Sequence, residues 1–548
     1  MAVRKIGELL KERGLINDRH IQIALSQQRV TGRYLGETLI ELGFVSAKEI
    51  SEVLAEQYGL EYIDLREFNI SEEALKLIPK EVADRNSFIP LSIKDSKFII
   101  GVVDPNNIKA IDAVSKLTNL SVHVYLVDTE AFYDSLEKAY FFLENPIDRN
   151  IEQVIQRLKA DVTAQNISTL SELILMDAIR KNATDIHISP VVDTSHVFYR
   201  IDGILQHGFC FPRKAHNGVV SKIKVMAEMD IAEQRLPQDG SFSYSFLGKR
   251  YDMRVSTVPT IHGENLVIRI LAGTGPMMRL EKLGFYTEDV EKIRLLVKKP
   301  HGIILITGPT GSGKTTTLYA ALREIDLIER NVITVEDPVE YKINLIKQTE
   351  VNPKAGYDFA IAGRNFMRQD PDIMLIGEIR DEETASIAVR ASITGHLVLS
   401  TLHTNNAVTS IPRLLDFGVD PTLLASSLLA AISQRLVRKL CNECKQEAPV
   451  TQELLQRMKF AGVEQPPEKA FRAVGCQFCN WTGYIGRTAI GEIMVVNDKI
   501  KELINERAPV QKIFEASIES GMTPLIYDGM RKVSEGITSI EEVLRVAG

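Results

Sequence analysis

The chain of 548 residues holds only five cysteines, and no run of apolar residues in it is long enough to cross a bilayer. Five thiols cannot form a disulfide framework for a protein of this size. The longest apolar runs, 302–308 and 423–432, fall far short of the roughly 18 residues that a spanning helix needs, so no membrane-crossing segment is expected. A surplus of positive charge is also missing. Lys and Arg number 65 against 72 Asp and Glu, a formal charge of −7, which excludes the global basic field that drives non-specific nucleic-acid binding. Residues 1–6 lead directly into the charged stretch 8–13 without the apolar core of a secretory signal, and the chain is expected to stay in the cytoplasm. The remaining composition, 45% apolar and 25% charged, is that of a soluble globular protein. At roughly 150 residues per domain the length predicts three or four domains.

Along the chain, residues 1–65 contain a repeat. Ile6-Gly7-Glu8, Gly14-Leu15-Ile16 and the stretch 21–28 recur as Leu35-Gly36-Glu37, Gly43-Phe44-Val45 and 50–57, and each copy reads as a short helix closed by glycine followed by a second helix. Residues 66–145 change to short apolar runs with turns, as in a small α/β unit. A polar stretch, 146–165, with a charged amphipathic segment inside it, reads as an interdomain linker, and a hinge there would let the first domain move as a body. Strand-like runs at 185–189, 196–200, 242–246, 251–257 and 266–271, with a helical segment at 218–229, define a second α/β domain over 166–275. From 276 to 548 strands and helices alternate as in a parallel sheet covered by helices, and 423–440 reads as a long helical run.

The chemistry concentrates in this last region. Gly308-Pro309-Thr310-Gly311-Ser312-Gly313-Lys314-Thr315 fits the phosphate-loop pattern, with an apolar strand before it and a helix-forming run from Thr316 after it. Glycines there let backbone N–H groups close around phosphate oxygens at a helix N-terminus, Lys314 bridges the β and γ phosphates, and the Thr315 hydroxyl is suited to ligate Mg²⁺. Further strands end in polar residues at the edge where such sheets place their ligands. Glu340 follows one of them and is suited to orient the attacking water. Glu378 follows another, where Gly377 stands in place of the usual aspartate, so Glu378 alone must serve Mg²⁺ through water or activate the nucleophile. His396 and His403 bracket a third, placed to sense the γ-phosphate unless they are ordinary structural histidines. Arg254 and Arg269, on strand-like runs upstream, are either surface charges or the cations that a neighbouring domain supplies to developing phosphate charge.

Four of the cysteines form two pairs, Cys441/Cys444 and Cys476/Cys479, within an insertion at about 438–490. Four thiolates in that arrangement close a tetrahedral Zn²⁺ site of a structural kind, the alternative being four reduced, unligated thiols. Cys210 reads as a small core or surface residue.

The phosphate loop 308–316, Val335-Glu336-Asp337-Pro338-Val339-Glu340, Arg368-Gln369-Asp370-Pro371-Asp372, Gly377-Glu378-Ile379-Arg380-Asp381 and the segment from Thr394-Gly395-His396 to His403-Thr404-Asn405 together resemble the signature boxes of the type II secretion and type IV pilus assembly ATPases. Arg235-Leu236-Pro237-Gln238-Asp239-Gly240, Arg254-Val255-Ser256-Thr257 and the tetracysteine insertion extend that resemblance from about residue 166 to the C-terminus. It implies an α/β multidomain fold. A RecA-like parallel-sheet ATPase domain would follow a PAS-like α/β domain and an N-terminal helical plus α/β domain. It further implies a cytoplasmic hexamer that hydrolyses ATP with Mg²⁺. Such a motor turns an inner-membrane platform protein and sits peripherally on the membrane beside the cytoplasmic domain of a membrane assembly protein. Within that family Arg254 and Arg269 match arginines that reach the nucleotide phosphates. Long N-terminal regions and cysteines favour assembly over retraction. A nucleic-acid or conjugation-type translocase on the same engine is the second reading, which the acidic charge opposes, and a regulatory protein with a dead site is a third. The N-terminal repeat resembles the cyclic di-GMP module of some members, whose motif begins Arg-Leu-Gly. Here the copies begin Lys5-Ile6-Gly7 and Tyr34-Leu35-Gly36, and Arg4 and Arg33 stand one position early. Dinucleotide binding through Lys5, Gly7, Arg33, Tyr34 and Gly36 and a purely structural docking module are both open.

Overall fold

The computed structural model describes residues 5–66, 68–271, 278–463, 466–467 and 469–548. Arg4 and the domain boundary expected at 275/276 lie outside the described residues. The chain divides into two compact units, residues 1–36 with 45–276 and residues 37–44 with 277–548.

In the first unit the sequence repeat has a structural counterpart. Asn17 caps the helix Asp18–Thr31 by accepting from the His20 N–H, and Ser46 caps the helix Ala47–Tyr58 by accepting from the Glu49 N–H. Both caps are reciprocated by the third helical side chain, which satisfies two otherwise orphaned donors at each start. Both helices also end on a left-handed glycine, Gly32 and Gly59. Next come β1 (Glu61–Tyr62), β2 (Phe88–Lys94), β3 (Lys97–Val102) and β4 (Ser121–Leu126), ordered β1-β4-β3-β2 around a core that includes Phe88, Ile89, Leu91, Phe98, Ile100 and Leu126. β1 follows the repeat immediately and pairs in parallel with β4.

Residues 146–165 are not a free linker. Ile147–Ala160 is an amphipathic helix that buries Ile147, Ile151, Val154 and Leu158, and these side chains belong to the core of the following domain. Its polar composition is the exposed face of a helix whose apolar stripe recurs every three or four residues. The next sheet is antiparallel and has six strands: β5 (Asp185–Pro190), β6 (Thr194–Ile201), β7 (Ile204–Pro212), β8 (Gln238–Phe246), β9 (Lys249–Thr260) and β10 (Gly263–Leu271), ordered β7-β6-β5-β10-β9-β8. The helices Ala164–Arg180 and His216–Met226 contribute to the same core.

The second unit is built on β11 (Gly302–Thr307), β12 (Val332–Glu336), β13 (Lys347–Glu350), β14 (Ile373–Ile376), β15 (Leu397–Leu402) and β16 (Leu428–Leu440). β17 (Gln446–Glu447) and β18 (Phe471–Arg472) form a small separate ladder, and β19 (Tyr484–Val495) returns to the main sheet. The order β13-β12-β14-β15-β11-β16-β19 is parallel except where β16 meets β19. The expected long helix at 423–440 is overturned: a short helix, Pro421–Ser427, gives way to the 13-residue strand β16. Residues 430–434 are buried on both faces of the sheet, and a continuous apolar run carries no alternation to distinguish strand from buried helix.

Candidate functional site

β11 is buried along its whole length and delivers the phosphate loop to the C-terminal edge of the sheet. Gly308, Gly311 and Gly313 have φ of 144°, 78° and 87°, values that other residues adopt only under strain. At Gly308 the need is also steric, since a Cβ would stand 2.5 Å from Ser312 Oγ and 2.7 Å from the Gln434 carbonyl oxygen. Gly313 then starts the helix Lys314–Leu322, whose first N–H groups have no intrahelical acceptor. Pro309 and Thr310 are exposed, Ser312 is buried, and Thr315 and Thr316 are half-buried on the first turn. Lys314 Nζ donates to the carbonyls of Gly308 at 2.9 Å and Pro309 at 3.1 Å. Burial pulls its pKa down to about 8, with the Glu378 charge opposing and Arg435 adding to the effect.

The structure brings Glu378 and His403 to this loop. Glu378 Oε2 lies 3.5 Å from His403 Nε2, and its other oxygen pairs with Arg380, which also approaches Asp337 at 3.6 Å. His403 is held below the ordinary imidazole range first by burial and then by the Lys314 charge, with the Glu378 charge opposing, which favours its neutral form. Gly377 has a packing reason: a Cβ there would meet the Val335 carbonyl at 3.1 Å and the Phe359 ring at 3.2 Å. Glu340 is exposed in the loop after β12, and its charge acts on Tyr319 and Tyr341. The carboxylate at the end of β12 itself is Glu336, buried and bonded by Thr334 Oγ1 at 2.6 Å and by the Tyr319 hydroxyl. His396 Nδ1 sits 2.9 Å from the Ala391 carbonyl, before β15, in a structural contact.

Sequence reasoning did not single out Arg380, Gln434 or Arg435. Gln434 Nε2 donates to the Ser312 carbonyl at 2.7 Å and props the loop from β16. Arg380 was legible as the neighbour of Glu378, whereas Gln434 and Arg435 could be placed only by knowing that 428–440 is a strand. A phosphate-bearing ligand fits this cradle. Buried Ser312 Oγ and Thr307 Oγ1 are donors without a hydrogen-bond partner among the described residues, and Lys314 donates to backbone carbonyl oxygens.

In the first unit, Arg254 and Arg269 are directly opposite each other across β9 and β10. Met253, Val255, Ile268 and Ile270 turn inward, so both arginines lie on the outer face, and Arg269 Nε donates to Asp185 Oδ1 at 3.0 Å. Lys5, Arg33 and Tyr34 of the N-terminal repeat are exposed, while Gly7 is buried and Gly36 half-buried. A Cβ at Gly7 or Gly36 would meet Leu35 or Ile50 at ordinary contact distance.

The four cysteines converge, with all Sγ atoms within 4.8 Å of one another. Cys441–Cys476 and Cys444–Cys479 are 3.9 Å apart and Cys476–Cys479 3.7 Å. A tetrahedron with metal–sulfur bonds of about 2.3 Å has edges of about 3.8 Å, so the set fits zinc. Burial raises the Cys479 thiol, but N–H donors from Cys476 and Gly483 outweigh it and bring the pKa to about 7. Burial pushes Cys441 up to about 12. Cys210 is exposed.

Residues 160–545 match the family model described as type II/IV secretion system protein, and residues 58–142 match the MshEN domain, which places that match on the β1–β4 unit. The chain is 38% identical over 563 aligned positions to the type IV pilus assembly ATPase PilB of Myxococcus xanthus, covering 98% of each chain. It is also 38% identical over 560 positions to type II secretion system protein E of Xanthomonas campestris, covering 100% of this chain and 98% of the relative. Among solved structures, the Legionella pneumophila ATPase DotB shares the fold over 68% of this chain and 93% of its own, with a TM-score of 0.50 at 20% identity. Phosphate loop, carboxylate, histidine and thiolate cluster thus occur within a chain matched over most of its length, and the protein belongs to the type II/IV secretion system protein family.

Proposed function

We propose that this ATPase is an assembly motor: a homohexamer that hydrolyses MgATP to build a type IV pilus or a secretion pseudopilus through an inner-membrane platform protein. The observation that carries the reading is Lys314, a half-buried cation with only carbonyl partners, at the loop where Glu378 and His403 meet. Residues 308–316 bind the phosphates, and the Thr315 hydroxyl holds Mg²⁺, which would neutralise charge developing on the phosphoryl oxygens. Glu378 activates the attacking water while His403 registers the γ-phosphate, and Glu340 orients the water from the loop after β12. Arg254 and Arg269 supply further cations to the phosphates. Zinc, held by Cys441, Cys444, Cys476 and Cys479, is structural. The same reading puts the protein in the cytoplasm, peripheral to the inner membrane through its partners; no helix among the described residues is long and apolar enough to cross a membrane.

The N-terminal repeat is read as a docking module for the cytoplasmic domain of a membrane assembly protein. Lys5 lacks the planar fork of arginine and Tyr34 lacks its charge. Titration with cyclic di-GMP tests the alternative, and saturable binding lost on changing Arg33 and Tyr34 would establish it.

Hydrolysis per subunit, measured against protein concentration without nucleic acid, tests the motor. A rate that rises with concentration, collapses in Arg254→Ala and vanishes in Lys314→Ala is expected. Full turnover by Lys314→Ala would sink the proposal, and strong stimulation by DNA would favour a translocase.

A further inference from the structure

Arg435 stands on β16, two residues beyond Ser433, which is paired with Thr307 at the end of β11. Its guanidinium reaches across the start of the phosphate loop. Nη1 donates to the Gln434 carbonyl at 3.0 Å and Nη2 to the Asn405 carbonyl at 2.7 Å, in the loop that follows β15 and His403. A Cβ on Gly308 would lie 3.1 Å from Arg435 Nη1, so the cation rests against the first glycine of the loop.

Among the described residues this cation has hydrogen bonds to carbonyl oxygens only. The acid whose charge it feels is Glu492 on β19, but the Glu492 oxygens are taken up by the N–H groups of Ala407 at 2.7 Å and Leu525 at 3.0 Å. Lys314, on the same loop, is in a similar position, and the two positive charges oppose each other. A half-buried guanidinium without a carboxylate is a destabilising arrangement unless an anion arrives to match it. A purely structural prop would not require a charge, since Gln434 already props Ser312 through a neutral amide.

We propose that Arg435 is a phosphate ligand of the nucleotide site, supplied by the same chain, that favours the triphosphate over the diphosphate. Through Asn405 it ties the loop after His403 to the presence of the terminal phosphate. The inference rests on reading residues 308–316 as the nucleotide site and adds a cation to that site.

The test measures dissociation constants for MgADP and for the magnesium complex of a non-hydrolysable β,γ-imido triphosphate, with kcat and KM for ATP. Wild type, Arg435→Gln, Arg435→Lys and Lys314→Ala are compared as full chains. Arg435→Gln is expected to weaken triphosphate binding about tenfold and diphosphate binding little, as loss of one charge-assisted contact does. Its kcat should fall about a hundredfold with an unchanged melting temperature. Arg435→Lys keeps the charge without the fork and should recover part of the preference. Equal affinities in wild type and Arg435→Gln, or equal losses for both nucleotides with a lowered melting temperature, would overturn the proposal. If Arg435→Gln does not fold, Arg435→Lys decides, and an undiminished preference for triphosphate then rejects it. Lys314→Ala separates the two readings: wild-type nucleotide binding by that variant removes the phosphate loop itself, whatever Arg435 does.

Discussion

Lys314 is a cation placed where burial works against its charge. Without nucleotide its ammonium loses a proton as pH rises through about 8, below the ordinary lysine range. Phosphate contact favours the charged form, so binding above that pH must take up a proton. MgATP affinity is expected to stay flat on the acid side of about pH 8 and to weaken by up to about tenfold per unit above it. Calorimetry in buffers of different ionisation enthalpy should show uptake approaching one proton at about pH 9. No uptake there would mean that Lys314 does not meet phosphate. Stability of the empty protein has the matching sign: the unfolded chain binds more protons between about 8 and the ordinary lysine value, so this group makes stability rise with pH across that window. Lys314 and Glu378 were legible at this scale because their motifs carry mechanism. Arg435 was not, because an arginine among Gln434, Arg438 and Lys439 reads as ordinary surface charge until its strand neighbours are known.

At the scale of elements, β16 connects to the last helix of the chain. Glu542, buried on Ile540–Ala547, accepts from the Arg438 N–H at 3.1 Å, Arg438 Nη2 at 2.9 Å and Arg545 Nε at 3.0 Å. Burial raises its pKa, but Arg545 and Arg438 outweigh that and hold it at about 2. Glu542→Gln strands the Arg438 charge and should cost about 3–5 kcal/mol of stability. The pair stabilises fully above the ordinary carboxylate pKa, and its contribution fades as pH falls toward about 2. Melting temperatures of wild type and variant should therefore converge between about pH 4 and pH 2, and a constant difference would reject the assignment. The strand itself escaped sequence reading for the reason that makes it central: 430–434 are covered on both sides, so the period-2 signal is absent. β7 escaped because Ile204–Pro212 is mostly half-exposed and weakly patterned, whereas β9 alternates cleanly and was foreseen.

Over the whole molecule, the repeat, the α/β unit and the alternating engine could be read from composition shifts and spacing. The helix Ile147–Ala160 was legible only as a charged amphipathic segment within a supposed linker, because the sequence does not say what its apolar stripe is buried against. β16 has a further consequence. Its middle carries Gln434 and Arg435 against the phosphate loop, and just past its C-terminal end lies Cys441 of the thiolate cluster. At about 3.3 Å per residue, that is a stiff span of about 20 Å between Arg435 and Cys441. The one tryptophan of the chain, Trp481, is 75% exposed beside that cluster, and its backbone N–H donates to the Cys476 carbonyl. The protein thus carries its single tryptophan, selectively excited at the red edge of protein absorption, at the far end of that span. Chelating the metal should shift its emission in wild type and leave a Cys441→Ser/Cys444→Ser variant unchanged. Any change in that emission on adding nucleotide would be an optical record of motion delivered along β16.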